Sequence, residues 1–206
     1  MNPQRALLII DVQNDFCPGG NLAVPEGDLT VPVINKLIDG FAMVMMTQDW
    51  HPPEHHSFAS AHAKRKAYET IQTSYGEQIL WPEHCIQGTK GAEFHRELRV
   101  DAAHFILRKG YRQAIDSYSA FFENDHKTAT GLAGLAKELS VEEFVVTGLA
   151  TDFCVKWSVL DGLRLGFKMS VVEDAVRGID LEGSVEQAWE EMGEAGARRV
   201  NAGALI

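Results

Sequence analysis

Ala6-Leu7-Leu8-Ile9-Ile10-Asp11 constrains this chain more than any other segment. Five apolar side chains in a row, closed by a carboxylate, do not alternate between inside and outside. A strand made of them has to be covered on both faces. Similar runs recur at 41–47, 104–109 and 144–147, again at 168–172, and as a short strand at 198–201. Between them the apolar spacing changes to that of helices. It predicts a helix over 29–38 with Val33, Ile34, Leu37 and Ile38 on one face and Asp28 as its cap. Further helices are predicted over 128–139, over 152–165 with Val155, Val159 and Leu163 in line, and over 185–195 with Ser184 as cap. Strands alternating with helices build βαβ units. The expected fold is α/β: a mostly parallel sheet with helices on both faces.

The chain has 206 residues, which suits one domain over 1–206. A chain of that length buries roughly 70% of its unfolded surface, so no metal or disulfide is needed to hold its core. There is no internal repeat and no Gly/Ser linker. The stretch from about 49 to 103 breaks the alternation and carries Pro52, Pro53, Gly76, Pro82, Gly88 and Gly91. A connection that long inside a compact domain is usually functional. Within this insertion, residues 64–75 read as a short helix.

Lys and Arg number 19 against 29 Asp and Glu, a net charge of −10. That balance repels nucleic-acid phosphates and anionic lipid, so neither is an expected partner. No apolar run reaches the ~18 residues of a membrane span, and the opening apolar stretch is too short for a signal peptide. The expected location is the cytoplasm. Cys17, Cys85 and Cys154 are odd in number and widely spaced, which does not read as a disulfide framework.

In parallel sheets, ligands sit beyond the carboxyl ends of the strands. Asp11 ends the first strand, Asp49 and His51 follow the second, Lys109 ends the third, and Thr151, Asp152 and Cys154 follow the fourth. Four strand ends thus deliver ionisable groups to one rim. Cys154 falls in the first turn of a helix, where free amides and the helix dipole favour a thiolate and can hold an oxyanion. The plainer alternative is a small buried hydrophobe. Asp11 is either a general base or a loop-capping carboxylate. Lys109 is either a solvated strand end or a cation that lowers the thiol pKa and holds Asp11. Asp49-Trp50-His51, with His84 further on, offers one carboxylate and two imidazoles to a divalent cation, although surface histidines would explain some of the eight in the chain.

Five segments together resemble one family. They are Asp11-Val12-Gln13-Asn14-Asp15-Phe16-Cys17, Thr47-Gln48-Asp49-Trp50-His51-Pro52, Trp81-Pro82-Glu83-His84-Cys85, Asp116-Ser117-Tyr118-Ser119-Ala120-Phe121 and Gly148-Leu149-Ala150-Thr151-Asp152-Phe153-Cys154-Val155. They look like the nicotinamidases (pyrazinamidases) of the isochorismatase-like cysteine hydrolases, over about 6–200. The resemblance implies a six-stranded parallel sheet. It implies a catalytic triad of Cys154, Asp11 and Lys109, with the N–H groups of Ala150 and Cys154 as oxyanion hole and a cis peptide at Leu149–Ala150. It also implies one divalent metal, usually zinc or iron with manganese a further candidate, on Asp49, His51 and His84. His55 stands nearest a loop histidine that ligates in some members. Phe16, Trp81 and Tyr118 match a pocket for a pyridine ring. The implied reaction is deamidation of nicotinamide, and of pyrazinamide, through a cysteine thioester. Two alternatives stay open: an amidohydrolase for N-carbamoyl or ureido substrates, and a non-catalytic metal- or redox-binding member. Monomer and homo-oligomer are equally open.

Overall fold

The computed structural model describes residues 2 and 4–205. The sequence readings of the N-terminus and of the full span 1–206 include Met1, Pro3 and Ile206, which lie outside the described residues. Six strands form one sheet: β1 (Arg5–Ile10), β2 (Met43–Asp49), β5 (Phe105–Lys109), β6 (Glu143–Leu149), β7 (Lys168–Arg177) and β8 (Arg198–Val200). Their spatial order is β5-β2-β1-β6-β7-β8, and every neighbouring pair is parallel. The expected six-stranded α/β architecture is the one observed.

The unbroken apolar run of β1 divides between two cores. Ala6, Leu8 and Ile10 pack on one face with Leu132, Val159 and Met192. Leu7 and Ile9 pack on the other with Val31, Ile34, Leu37 and Ile38. The first set of partners lies on α2 (Leu132–Glu138), α3 (Lys156–Arg164) and α4 (Ser184–Glu194); the second lies on α1 (Thr30–Ile38). The five apolar β1 side chains are fully buried, and Leu7, Leu8, Ile9 and Ile10 each contribute about 1.5–3 kcal/mol of transfer free energy. Covering both faces is what makes the sheet's rim, rather than a face, the place where a ligand can enter.

Chain order explains the site's location. From β1 the chain moves outward to β2 and β5, then returns to β6 on the other side of β1 and moves outward again. The reversal opens a crevice between the carboxyl ends of β1 and β6. Gly148 permits the close approach there: its φ is +107°, and a Cβ would stand 2.1 Å from the Ile10 carbonyl oxygen.

Several local expectations are corrected. Residues 64–75 form no helix; β3 (Thr70–Thr73) pairs antiparallel with β4 (Gly76–Ile79) in a separate hairpin. Asp28 does not cap α1, because no side-chain cap is made there, and Thr30 Oγ1 donates to the Gly27 carbonyl instead. Ser184 is the first residue of α4, and its hydroxyl is turned to Asp152. The helix expected from 128 begins at Leu132, and the one expected from 152 opens with a wide π turn, Thr151–Val155, before α3.

Candidate active site

Lys109 closes β5 with its side chain fully buried at the crevice. A buried ammonium needs its hydrogens satisfied and its charge balanced. Its Nζ lies 2.9 Å from Asp11 Oδ2 and 3.0 Å from Asp49 Oδ1, and it donates to the Ser117 carbonyl at 2.7 Å. Cys154 Sγ is 3.5 Å away. Asp11, Lys109 and Cys154 are therefore brought together from three strand ends. Asp11 has φ +48°, and its Oδ1 accepts the Thr47 hydroxyl at 2.7 Å.

Burial dominates the protonation of this cluster. It pushes the Cys154 thiol well above its ordinary range; Lys109 opposes this, and the Asp11 and Asp49 charges add to it. Burial likewise raises the Asp11 carboxyl, against the pull of Lys109 and the Thr47 hydrogen bond. Burial works against the Lys109 cation, but Asp11, Asp49 and Cys154 outweigh it and hold that cation firmly protonated. These directions favour a thiol beside a carboxylate–ammonium pair, so burial works against the helix-end thiolate that the sequence suggests.

Asp49, His51 and His84 converge beside this cluster, with ligand atoms within 4.8 Å of one another. The His51 Nδ1 faces the Gly110 carbonyl at 2.9 Å, and the His84 Nδ1 faces the Pro82 carbonyl at 2.8 Å. A carbonyl only accepts, so each Nδ1 carries the hydrogen and each Nε2 presents a lone pair. Those lone pairs meet Asp49 Oδ2, at 2.9 Å from His51 and 3.5 Å from His84. Three acceptors aimed at one another call for a cation. Carbonyl-anchored imidazoles with one carboxylate are a donor set suited to zinc, iron or manganese. The residues fit the implied metal.

His55 differs from these two histidines. Its Nδ1 is 2.8 Å from Ser57 Oγ, and its Nε2 is 2.9 Å from the Arg112 carbonyl. Both ring nitrogens are committed, and burial lowers its pKa to about 4. Its ring lies tilted against that of His51, with 4.3 Å between centroids. With Asp116 it lies within reach of a second group of acceptors that shares His51.

Above Cys154 is a narrow cavity lined by Phe16, Trp81, Tyr118, Phe153, Ile179 and the Asp49–His84 edge. Trp81 stands edge-on to Phe153 at 4.9 Å, and its Nε1 donates to the Tyr118 hydroxyl at 3.0 Å. The walls suit a flat ring. Phe16, Trp81 and Tyr118 are there as the sequence predicted. Phe153, Asp116 and Ile179 were missed. Phe153 and Asp116 lay inside quoted motifs, and that was the signal available; Ile179 had none. The Leu149–Ala150 peptide is cis, as the resemblance implied. Ala150 lines the cavity, next to the turn that carries Cys154.

Known proteins share this frame. Residues 5–202 match the Isochorismatase domain. The chain is 48% identical over 196 residues to the nicotinamidase of Acinetobacter baylyi, covering 95% of this chain and 92% of that protein. It is 46% identical over 201 residues to the nicotinamidase of Escherichia coli, covering 95% and 93%. Among solved structures, an Acinetobacter baumanii nicotinamidase/pyrazinamidase superposes with a TM-score of 0.99 at 51% identity, covering all of both chains. PnC1 from L. infantum in complex with nicotinate has a TM-score of 0.87 at 34% identity, covering 99% of this chain and 96% of that one. A Pyrococcus horikoshii pyrazinamidase in complex with zinc has a TM-score of 0.78 at 35% identity, covering 97% and 99%. The parallel sheet, the crevice at its reversal point and the match along nearly the whole sequence lead to one conclusion: the chain belongs to the isochorismatase family of hydrolases.

Proposed function

We propose that this protein hydrolyses nicotinamide to nicotinate and ammonia, and pyrazinamide likewise, through a thioester on Cys154. The observation that carries this reading is the Lys109 ammonium touching Asp11 at 2.9 Å and Cys154 at 3.5 Å on the floor of an aromatic cavity. The relatives named nicotinamidase support the substrate.

In this reading the ring lies between Phe16, Trp81, Tyr118 and Phe153. Asp11 takes the proton from Cys154, and the sulfur attacks the amide carbon. The N–H groups of Ala150 and Cys154 hold the oxyanion. Asp11 returns the proton to the departing nitrogen, the C–N bond breaks, and ammonia leaves a thioester. Asp11 then accepts a proton from water as the water attacks the thioester; as the C–S bond breaks, Asp11 returns that proton to the departing sulfur, and the acid formed loses its own proton to solvent, which leaves nicotinate and the thiol. Lys109 keeps its proton throughout and offsets the negative charge that passes between Asp11 and Cys154. Asp49, His51 and His84 would hold zinc, iron or manganese, whose Lewis acidity would act on the substrate's ring nitrogen and on water. The zinc in the P. horikoshii pyrazinamidase supports a divalent metal as cofactor.

The same reading takes residues 1–206 as one domain acting in the cytoplasm, where a reducing medium keeps Cys154 a thiol. Its partner is the small substrate, with no nucleic acid or membrane; the acidic balance of the chain supports this. Among the described residues, no helix is long and apolar enough to cross a membrane. The deciding experiment incubates purified protein, metal-free and metal-loaded, with nicotinamide and measures ammonia and nicotinate together. Equal release of both by the loaded protein is expected. Release of neither, with turnover of an N-carbamoyl amino acid instead, overturns the reading.

A further inference from the structure

Asp152 stands two residues before Cys154 and takes no part in the chemistry above. It is buried, at 2% exposure, and its carboxylate faces away from Lys109 toward the loop that joins β7 to α4. Oδ1 accepts the Ile179 N–H at 3.0 Å. Oδ2 accepts the Asp180 N–H at 2.8 Å and the Ser184 hydroxyl at 2.6 Å. Three donors from one loop thus converge on a single side chain of the nucleophile turn. The approach is close as well: a Cβ on Gly178 would lie 2.2 Å from Val185 Cγ2 and 3.0 Å from Asp152 Oδ1. What the loop carries explains why this matters. Ile179 lines the ring cavity beside Phe153 and Cys154. Ile179 and Leu181 also pack against the cluster that holds Phe16, Trp81 and Ala150. Apart from this packing, the loop is fastened to the nucleophile turn by Asp152.

We propose that Asp152 is a positioning residue that sets substrate specificity: it seats the 178–184 loop so that Ile179 closes one wall of the ring cavity and limits the size of ring substituents admitted. The charge suits the task. An ionised carboxylate accepts all three donors at once, whereas an amide in its place turns an N–H toward the Asp180 N–H. Released from Asp152, the loop would withdraw Ile179 and widen the cavity without moving Lys109 or Asp11.

This inference rests on the amide-hydrolase reading, and its test separates the two. Asp152→Ala, Asp152→Asn and Ile179→Ala are compared with the unaltered protein in three measurements: KM and kcat for nicotinamide and for a 5-alkyl nicotinamide, the rate of Cys154 alkylation by iodoacetamide, and amide hydrogen exchange over 178–184. For Asp152→Ala, KM for nicotinamide should rise about tenfold, the scale of a lost apolar contact in a pocket. Its preference should shift toward the 5-alkyl substrate, exchange at Ile179 and Asp180 should quicken, and the alkylation rate should hold. Asp152→Asn should fall between Ala and the unaltered protein. Ile179→Ala, which leaves the fastening intact, should reproduce the shift in preference without the faster exchange. Unchanged exchange in Asp152→Ala, or a fall in kcat and alkylation with KM unmoved, overturns the proposal and puts Asp152 on the nucleophile. Should Asp152→Ala not fold, Asp152→Asn and Ile179→Ala decide by the same criteria. An unaltered protein that leaves both amides intact refutes the hydrolase reading, while the exchange data still test the fastening of the loop.

Discussion

The Lys109 ammonium sits 3.5 Å from the Cys154 sulfur, and both are buried. A cation at that distance is the main influence holding down a thiol pKa that burial drives up. Replacing it with an uncharged chain of similar length, Lys109→Met, should move the pH midpoint of Cys154 alkylation higher still. It also leaves Asp11 and Asp49 without their shared partner, at a cost of about 3–5 kcal/mol of stability. Alkylation rates across pH and urea unfolding measure the two effects. An unchanged alkylation profile would remove Lys109 from the site.

The pH dependence of the unaltered protein follows from the same burial. Alkylation needs the thiolate, so its rate rises with pH. Because burial disfavours that thiolate, the rise at Cys154 should be centred above the ordinary thiol value of 9.0. Cys17, pushed to about 11 by burial and Asp28, and Cys85, also raised by burial, are shifted in the same direction, so peptide mass mapping assigns the alkylated position. Catalysis has the opposite limb: Asp11 must be ionised to accept the proton. Its carboxyl is raised, so kcat/KM should begin to fall at a pH above the ordinary 3.8 as acid is added. A limb at or below that value would mean another base.

Cys154→Ala should lower turnover about 10³-fold or more, since no other group can form the thioester. Only a sulfur is lost from the core, so the fold should survive with a loss of about 1 kcal/mol or less. Circular dichroism checks the fold. Mass spectrometry of a trapped acyl adduct checks the position, and an adduct on Cys17 or Cys85 would refute the assignment.

Asp49, His51 and His84 should bind one divalent ion. Chelation should suppress nicotinamide turnover, and zinc, iron(II) or manganese(II) should restore it. Ligation needs neutral imidazoles, so protons compete and affinity should weaken as the pH is lowered. Ion binding to the folded form alone should add about 2.7 kcal/mol of stability at a hundredfold excess over Kd. Calorimetric titration of the unaltered protein and of His84→Ala measures both effects. Equal affinity in His84→Ala would move the ion elsewhere.

Much of this was legible in the sequence. The unbroken run of β1 required a sheet covered on both faces, and helix–strand alternation required parallel pairing. Strand ends alone put Asp11, Asp49, Lys109 and Cys154 on one rim, because carboxyl ends of parallel strands share an edge. These are consequences of local pattern. The hairpin Thr70–Thr73 and Gly76–Ile79 was not legible. It is short, polar and partly exposed, and Lys64, Arg65, Lys66, Ala67 and Glu69 before it are helix formers. The expected caps failed for local reasons: Asp28 falls inside the tight turn Gly27–Leu29, one residue before the cap position of α1, and Ser184 is taken by Asp152.

The sequence by itself determined the layered fold, the rim and the kinds of groups delivered to it, since these depend on periodicity and chain order. Only the tertiary structure decided which groups touch and in what state. Distance and burial do not follow from spacing along the chain. Folding brings the Asp49 carboxylate against two imidazole lone pairs, works against a Cys154 thiolate through burial and commits both nitrogens of His55. It also turns Asp152 away from the reaction and onto a loop that lies 26 or more residues further along the chain, for the same physical reason: a buried carboxylate takes the donors that packing brings to it.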